Sequence, residues 1–151
     1  MTTDDQATAI AYIAALDEPR RSRMAHLHEV ITAAMPDAPI RLFEYSGTLI
    51  GYGPYAYSNS AGKPVGDWFA VGLANRKAYI SLYSMAVRDG RYLVEVSHDR
   101  FPGTAIGRSC LNIKDSTTVD DAAVRDLVTE TWAQYRDGQP PRLPPAKVRS
   151  S

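Results

Sequence analysis

The chain has 151 residues with 17 basic and 17 acidic side chains, a net charge of zero, and 44% of its residues are hydrophobic against 23% charged. These values describe one ordinary globular domain, exclude extensive disorder, and offer no long-range attraction to nucleic acid or anionic lipid. No apolar run approaches the roughly 20 residues that a spanning helix needs, the opening MTTDDQ is acidic where a secretory leader is basic, and the single Cys110 excludes an intramolecular disulfide and a cysteine-cluster zinc site. The expectation is a cytoplasmic protein with neither nucleic-acid nor membrane partners.

In chain order, Thr3 or Asp4 caps a short helix through Ile10, Ile13 and Leu16. Asp17-Glu18-Pro19 starts a second helix that runs to about Met35, with Met24, Leu27, Ile31 and Ala34 forming one apolar stripe. Pro36 and Pro39 stop it. Ile40–Tyr45 and Thr48–Tyr57 read as extended segments, the second made irregular by Gly51, Gly53 and Pro54. Trp68–Ala74 and Ala78–Tyr83 form a hairpin across Asn75-Arg76-Lys77. Alternation puts Phe69, Val71, Leu73, Ile80 and Leu82 on its core face, and Trp68, Ala70, Gly72, Tyr79, Ser81 and Tyr83 on the other. Arg91–Phe101 fits strand or helix by local pattern alone. Ser109–Lys114 is the last strand, and Thr118 with Asp121 begins a C-terminal helix carrying Val124, Leu127, Val128, Thr131 and Trp132. The tail from Asp137, with four prolines, has no core-forming pattern and is expected to be disordered, leaving one domain over residues 1–136.

Helices at both ends with strands between them imply an α+β domain, a two-layer sandwich with an antiparallel sheet and helices packed on one face. The segments LIGYGPYAYSNSAGKPVGDWFAVGLANRKAYISLY, GRSCLNIKDSTTVD and LDEPRRSRMAHLHEVI resemble the YdhG-like family of small bacterial domains of unknown function. The most specific pieces are Gly51-Tyr52-Gly53 with Tyr55 and Tyr57, Gly66-Asp67-Trp68, Arg76-Lys77 and Gly107-Arg108-Ser109-Cys110. The resemblance implies a frataxin-like architecture, favours helix over Arg91–Phe101, and brings iron handling by surface carboxylates as a second function. It supplies no catalytic constellation.

Seven of the nine tyrosines fall between residues 45 and 92, and rings with a polar tip suit a pocket or an interface as well as the margin of a core. With the cations nearby they define a candidate ligand-binding surface on the uncovered sheet face: Tyr52, Tyr57, Trp68, Arg76, Lys77, Tyr79, Tyr83, Cys110 and Lys114. The leading expectation is a non-catalytic binding protein that takes a small molecule or a protein partner there, with self-association into a homodimer as a competing use of the same face. No cofactor is expected from the residues themselves. His26 and His28 lie about 200° apart on a helix and cannot share an ion. The carboxylates Asp4, Asp5, Asp17, Glu18 and Glu29 are what an iron reading would use, though helix starts favour acidic residues anyway. A third reading makes Cys110 a nucleophile, with Arg108 and Lys114 lowering its pKa.

Overall fold

A computed structural model describes residues 2–45, 47–58 and 61–136, with side chains described for all of these except 2–5, 57–58 and 64–65. The order is α1 (Thr2–Ala14), α2 (Arg20–Ala34), β1 (Ile40–Glu44), β2 (Thr48–Ser58), β3 (Pro64–Asn75), β4 (Ile80–Ser84), β5 (Val87–Arg88), β6 (Arg91–Tyr92), α3 (Leu93–Val96), β7 (Ala105–Ile106), β8 (Cys110–Ile113) and α4 (Asp121–Tyr135). Six strands form one antiparallel sheet in the order β1-β2-β3-β4-β8-β7, and β5 and β6 form a separate two-stranded ladder. The architecture is therefore an α+β two-layer sandwich. No helix among the described residues is long and apolar enough to cross a membrane.

The helix layer is set by the apolar stripes. Met24, Leu27, His28 and Ile31 of α2 are buried, as are Val124, Leu127, Val128, Thr131 and Trp132 of α4. Beneath them lie Ile50, Val71, Leu73, Ile80, Leu82, Leu111 and Ile113, all essentially inaccessible. Two polar contacts identify this face. The Tyr52 hydroxyl lies 2.7 Å from His28 Nδ1, and the Ser84 hydroxyl lies 2.7 Å from that of Thr131. Val71 pairs with both Tyr52 and Ser84, so it shares their face.

Three sequence expectations change. Phe69 does not share the face of Val71. Its ring meets Phe43, Trp68 and Tyr83 on the opposite side of the sheet. The alternation breaks at Gly53 and Ala70, a pair missing from the β2–β3 ladder. Gly53 has a φ of 72°, and a Cβ there would lie 2.7 Å from the Trp132 ring. The start of α4 is capped by Asp120, whose carboxylate accepts from the Ala123 N–H, in place of Thr118. Finally, Arg91–Phe101 is divided: two residues extend as β6, one helical turn follows as α3, and His98–Arg100 forms a 3-10 turn. The segment is too short for either period to dominate its whole length. The Pro-rich tail lies outside the described residues.

Candidate functional site: an aromatic face pinned by arginines

On the side of the sheet away from α2 and α4, five rings from three strands or their ends pack on one another. Trp68 stacks on Phe69 at 4.5 Å, and Tyr45 meets Trp68 edge-on at 5.1 Å. Phe43 meets Phe69 edge-on at 5.2 Å, and Tyr83 does so at 5.8 Å. Edge-to-face and offset geometries of this kind suit the ring quadrupoles. The sheet makes room for them with two facing glycines, Gly51 and Gly72. A Cβ at Gly51 would lie 2.4 Å from Phe43, and one at Gly72 would lie 2.5 Å from Phe69. Phe69 is fully buried, while Phe43, Tyr45, Trp68 and Tyr83 keep part of their surface in solvent.

Two guanidinium groups rim the cluster. Arg41 sits 4.4 Å from the centroid of Phe43 and pairs with Asp67 at 3.1 Å. Arg76 donates to the Tyr83 hydroxyl at 3.0 Å and to the Tyr45 carbonyl at 3.1 Å. Arg76 is itself held by a buttress outside the face. Arg20, the first residue of α2, reaches the turn between β3 and β4. It bonds Asn75 Oδ1 at 2.8 Å, the Arg76 carbonyl, the Tyr79 carbonyl at 3.3 Å and Asp115 at 2.7 Å. One planar fork thus fixes the turn that carries Arg76.

The structure divides the expected site residues. Trp68, Arg76 and Tyr83 come together in the cluster. Tyr52 is corrected to the helix-covered face, fully buried beneath α2 against His28, because its even place in β2 aligns it with Ile50 and Val71. Tyr79 precedes β4 and takes no part in the ring contacts; its carbonyl serves Arg20 and the Arg76 N–H. Lys77 and Lys114 are exposed, at the turn and just past β8. The Tyr57 side chain lies outside those described. Sequence reading missed Phe43 and Arg41, whose every-other spacing in β1 was the available signal; it counted Tyr45, just past β1, among the tyrosines but left it out of the candidate site, and it missed the role of Arg20.

Cys110 is buried on the same side of the sheet, its sulfur 3.5 Å from Asn112 Oδ1. Burial pushes its thiol up from the ordinary value, although the Gly107 amide and Arg76 act in the other direction. A thiolate nucleophile needs the reverse. Among the described residues no group of three or more His, Cys, Asp or Glu side chains could hold a metal ion. Glu18, one of the candidate carboxylates, is held by the Ser22 hydroxyl at 2.8 Å and by the Ser22 N–H at 3.1 Å. These bonds, chiefly the hydroxyl's, lower its pKa. The side chains of Asp4 and Asp5 lie outside those described.

A groove of about 700 Å³ opens elsewhere, between α2 and the start of α4. Its floor is Leu27, Ile113 and Val119, and its rim includes Arg23, His26, Asp120 and Asp121. His26 Nε2 lies 2.9 Å from both carboxylate oxygens of Asp121, whereas His28 faces Tyr52, so the two histidines serve different contacts. Comparison with protein-family models, with curated proteins and with solved structures finds no match to this chain.

Proposed function

We propose that the protein is a non-catalytic binding domain that uses the aromatic face of its sheet, at Tyr45, Trp68, Tyr83, Arg41 and Arg76, to hold a protein partner. One observation carries the proposal: four partly exposed rings and two arginines form a continuous surface on the side of the sheet that α2 and α4 leave uncovered. Trp, Tyr and Arg are the residues that dominate interface energetics, because they combine large apolar area with a polar tip. The rings are already locked against each other, so little side-chain entropy is lost on binding. The resemblance to YdhG-like domains belongs to the same proposal, since it implies a small fold without a catalytic set.

A second reading has its own observation. The groove between α2 and α4 combines an apolar floor with polar groups on its rim, the form of a small-molecule site. The two readings separate in one amide NMR experiment with a metabolite library and with candidate protein partners. Shifts at Trp68, Tyr83 and Arg76, abolished in Trp68→Ala, support the proposal. Shifts confined to His26, Leu27 and Asp121 replace it with the groove.

A further inference from the structure

β1 is an outer strand of the sheet, and two backbone bonds fix which of its groups are in use. The Tyr45 N–H donates to the Gly47 carbonyl at 2.8 Å, and the Gly53 N–H donates to the Pro39 carbonyl at 2.8 Å. Both bonds fall on the register that pairs Ile40 with Tyr52 and Glu44 with Thr48. Hydrogen-bonded and non-hydrogen-bonded pairs alternate along an antiparallel ladder. The odd-numbered residues of β1 therefore turn their N–H and C=O groups toward β2, and Ile40, Leu42 and Glu44 turn theirs away. Among the described residues those outward groups have no hydrogen-bond partner. The strand reads IRLFE, with neither the proline nor the lysine that commonly blunts an edge.

We propose that this edge is closed by a second copy of the chain, the two β1 strands pairing antiparallel about a two-fold axis at Leu42. The outward residues at 40, 42 and 44 are symmetric about Leu42, so the edge is complementary to itself. Leu42 faces Leu42 of the second copy, and Ile40 faces its Glu44. Three such pairs exchange about six backbone hydrogen bonds. Between them Arg41 falls opposite Phe43 of the second copy in the closer, non-hydrogen-bonded type of pair. Arg41 already lies 4.4 Å from its own Phe43 ring, so the same cation–π attraction extends across the axis in both directions. Sliding to the register that sets Arg41 against Arg41 loses overlap and opposes like charges.

A second observation points to the same edge. Ile10 is 52% exposed, the one exposed large hydrophobic among the described residues. It lies on α1, which packs beside β1 and whose Tyr12 hydroxyl donates to the Thr48 carbonyl at 3.2 Å. Joining two β1 strands brings two α1 helices alongside one another. This inference goes beyond the proposed function: it concerns the strand edge, shares only Arg41 with the residues named for that face, and leaves Trp68 and Tyr83 unoccupied.

Sedimentation equilibrium of the full chain, from about 1 to about 200 μM, tests it, spanning the affinity range of ordinary interfaces. The expected result is association toward twice the 16.6 kDa chain mass. Leu42→Pro removes an N–H that β2 does not use and is expected to give a monomer with an unchanged circular dichroism spectrum. Independently, Leu42→Cys in a Cys110→Ser background is expected to form an intermolecular disulfide, since paired Cα atoms at the axis lie about 5.5 Å apart. Lys77→Cys in the same background is expected not to. A monomer at every concentration overturns the proposal, as does a dimer that Leu42→Cys fails to cross-link. Should Leu42→Pro not fold, the cross-link alone decides.

Discussion

Arg20 offers the sharpest test of how the face is held. Its side chain is only 13% exposed and ties α2 to Asp115 and to the β3–β4 turn. Arg20→Met keeps much of the apolar stem and removes every donor. Hydrogen bonds to charged groups contribute about 1.5–3 kcal/mol each. Simple addition over three bonds (to Asn75, to the Arg76 carbonyl and to Asp115) overstates the cost, because water reaches the Asp115 end and the turn can relax. We expect a loss of about 3 kcal/mol, the lower end for breaking a mostly buried charged contact. For a domain of this size that is a fall of roughly 10 °C in Tm. Urea unfolding, followed by tryptophan fluorescence and by far-UV circular dichroism, measures it directly. Arg20→Lys, with a point charge in place of the fork, is expected to restore less than half. A further consequence is local: the Arg76 and Tyr83 resonances should move even though neither residue is changed. A loss under about 1 kcal/mol, or a lysine variant as stable as the parent, would refute the reasoning.

Gly72→Ala is expected to cost about 2–3 kcal/mol, since its Cβ would lie 2.5 Å from the Phe69 ring; in a Phe69→Leu background the cost should shrink, and equal costs in the two backgrounds would count against ring-on-glycine packing. Cys110 should react with a disulfide reagent at pH 7 far more slowly than an exposed cysteine, because burial favours its neutral thiol; a native rate equal to that of the urea-unfolded chain would overturn this. His28 is buried and its pKa is lowered, chiefly by desolvation. The unfolded chain thus takes up a proton near pH 6.5 that the folded one refuses, and stability falls as pH drops below that value, by at most about 1.4 kcal/mol per pH unit for one proton. Denaturation curves at pH 7.5, 6.0 and 5.0 should show this slope in the parent and lose it in His28→Asn. Trp68→Ala should leave the fold intact and remove partner-induced shifts at Tyr83; shifts that persist would move binding off the aromatic face.

Periodicity and punctuation determined much of this protein by themselves. The stripes Met24-Leu27-Ile31 and Val124-Leu127-Val128 specify which sides of α2 and α4 are buried, and prolines and turn residues delimit the strands, because these signals act within a few residues of one another. Part of the candidate site followed from the same logic, since Trp68 and Tyr83 do stand on the face away from the helices. What alternation could not determine was Phe69. Its side chain leaves the expected face where Gly53 and Ala70 interrupt the ladder, and at that point Gly53 lies against the Trp132 ring, 79 positions further along the chain from Gly53. Nor could it show that Gly51 and Gly72 face one another across two strands to make space for rings, or that Arg20 at a helix start would hold a turn more than 50 residues later. Local sequence chooses among backbone states by steric preference. Which side chains fill one volume, and which donors meet which carbonyls, is decided only when strands distant in sequence take their register against each other.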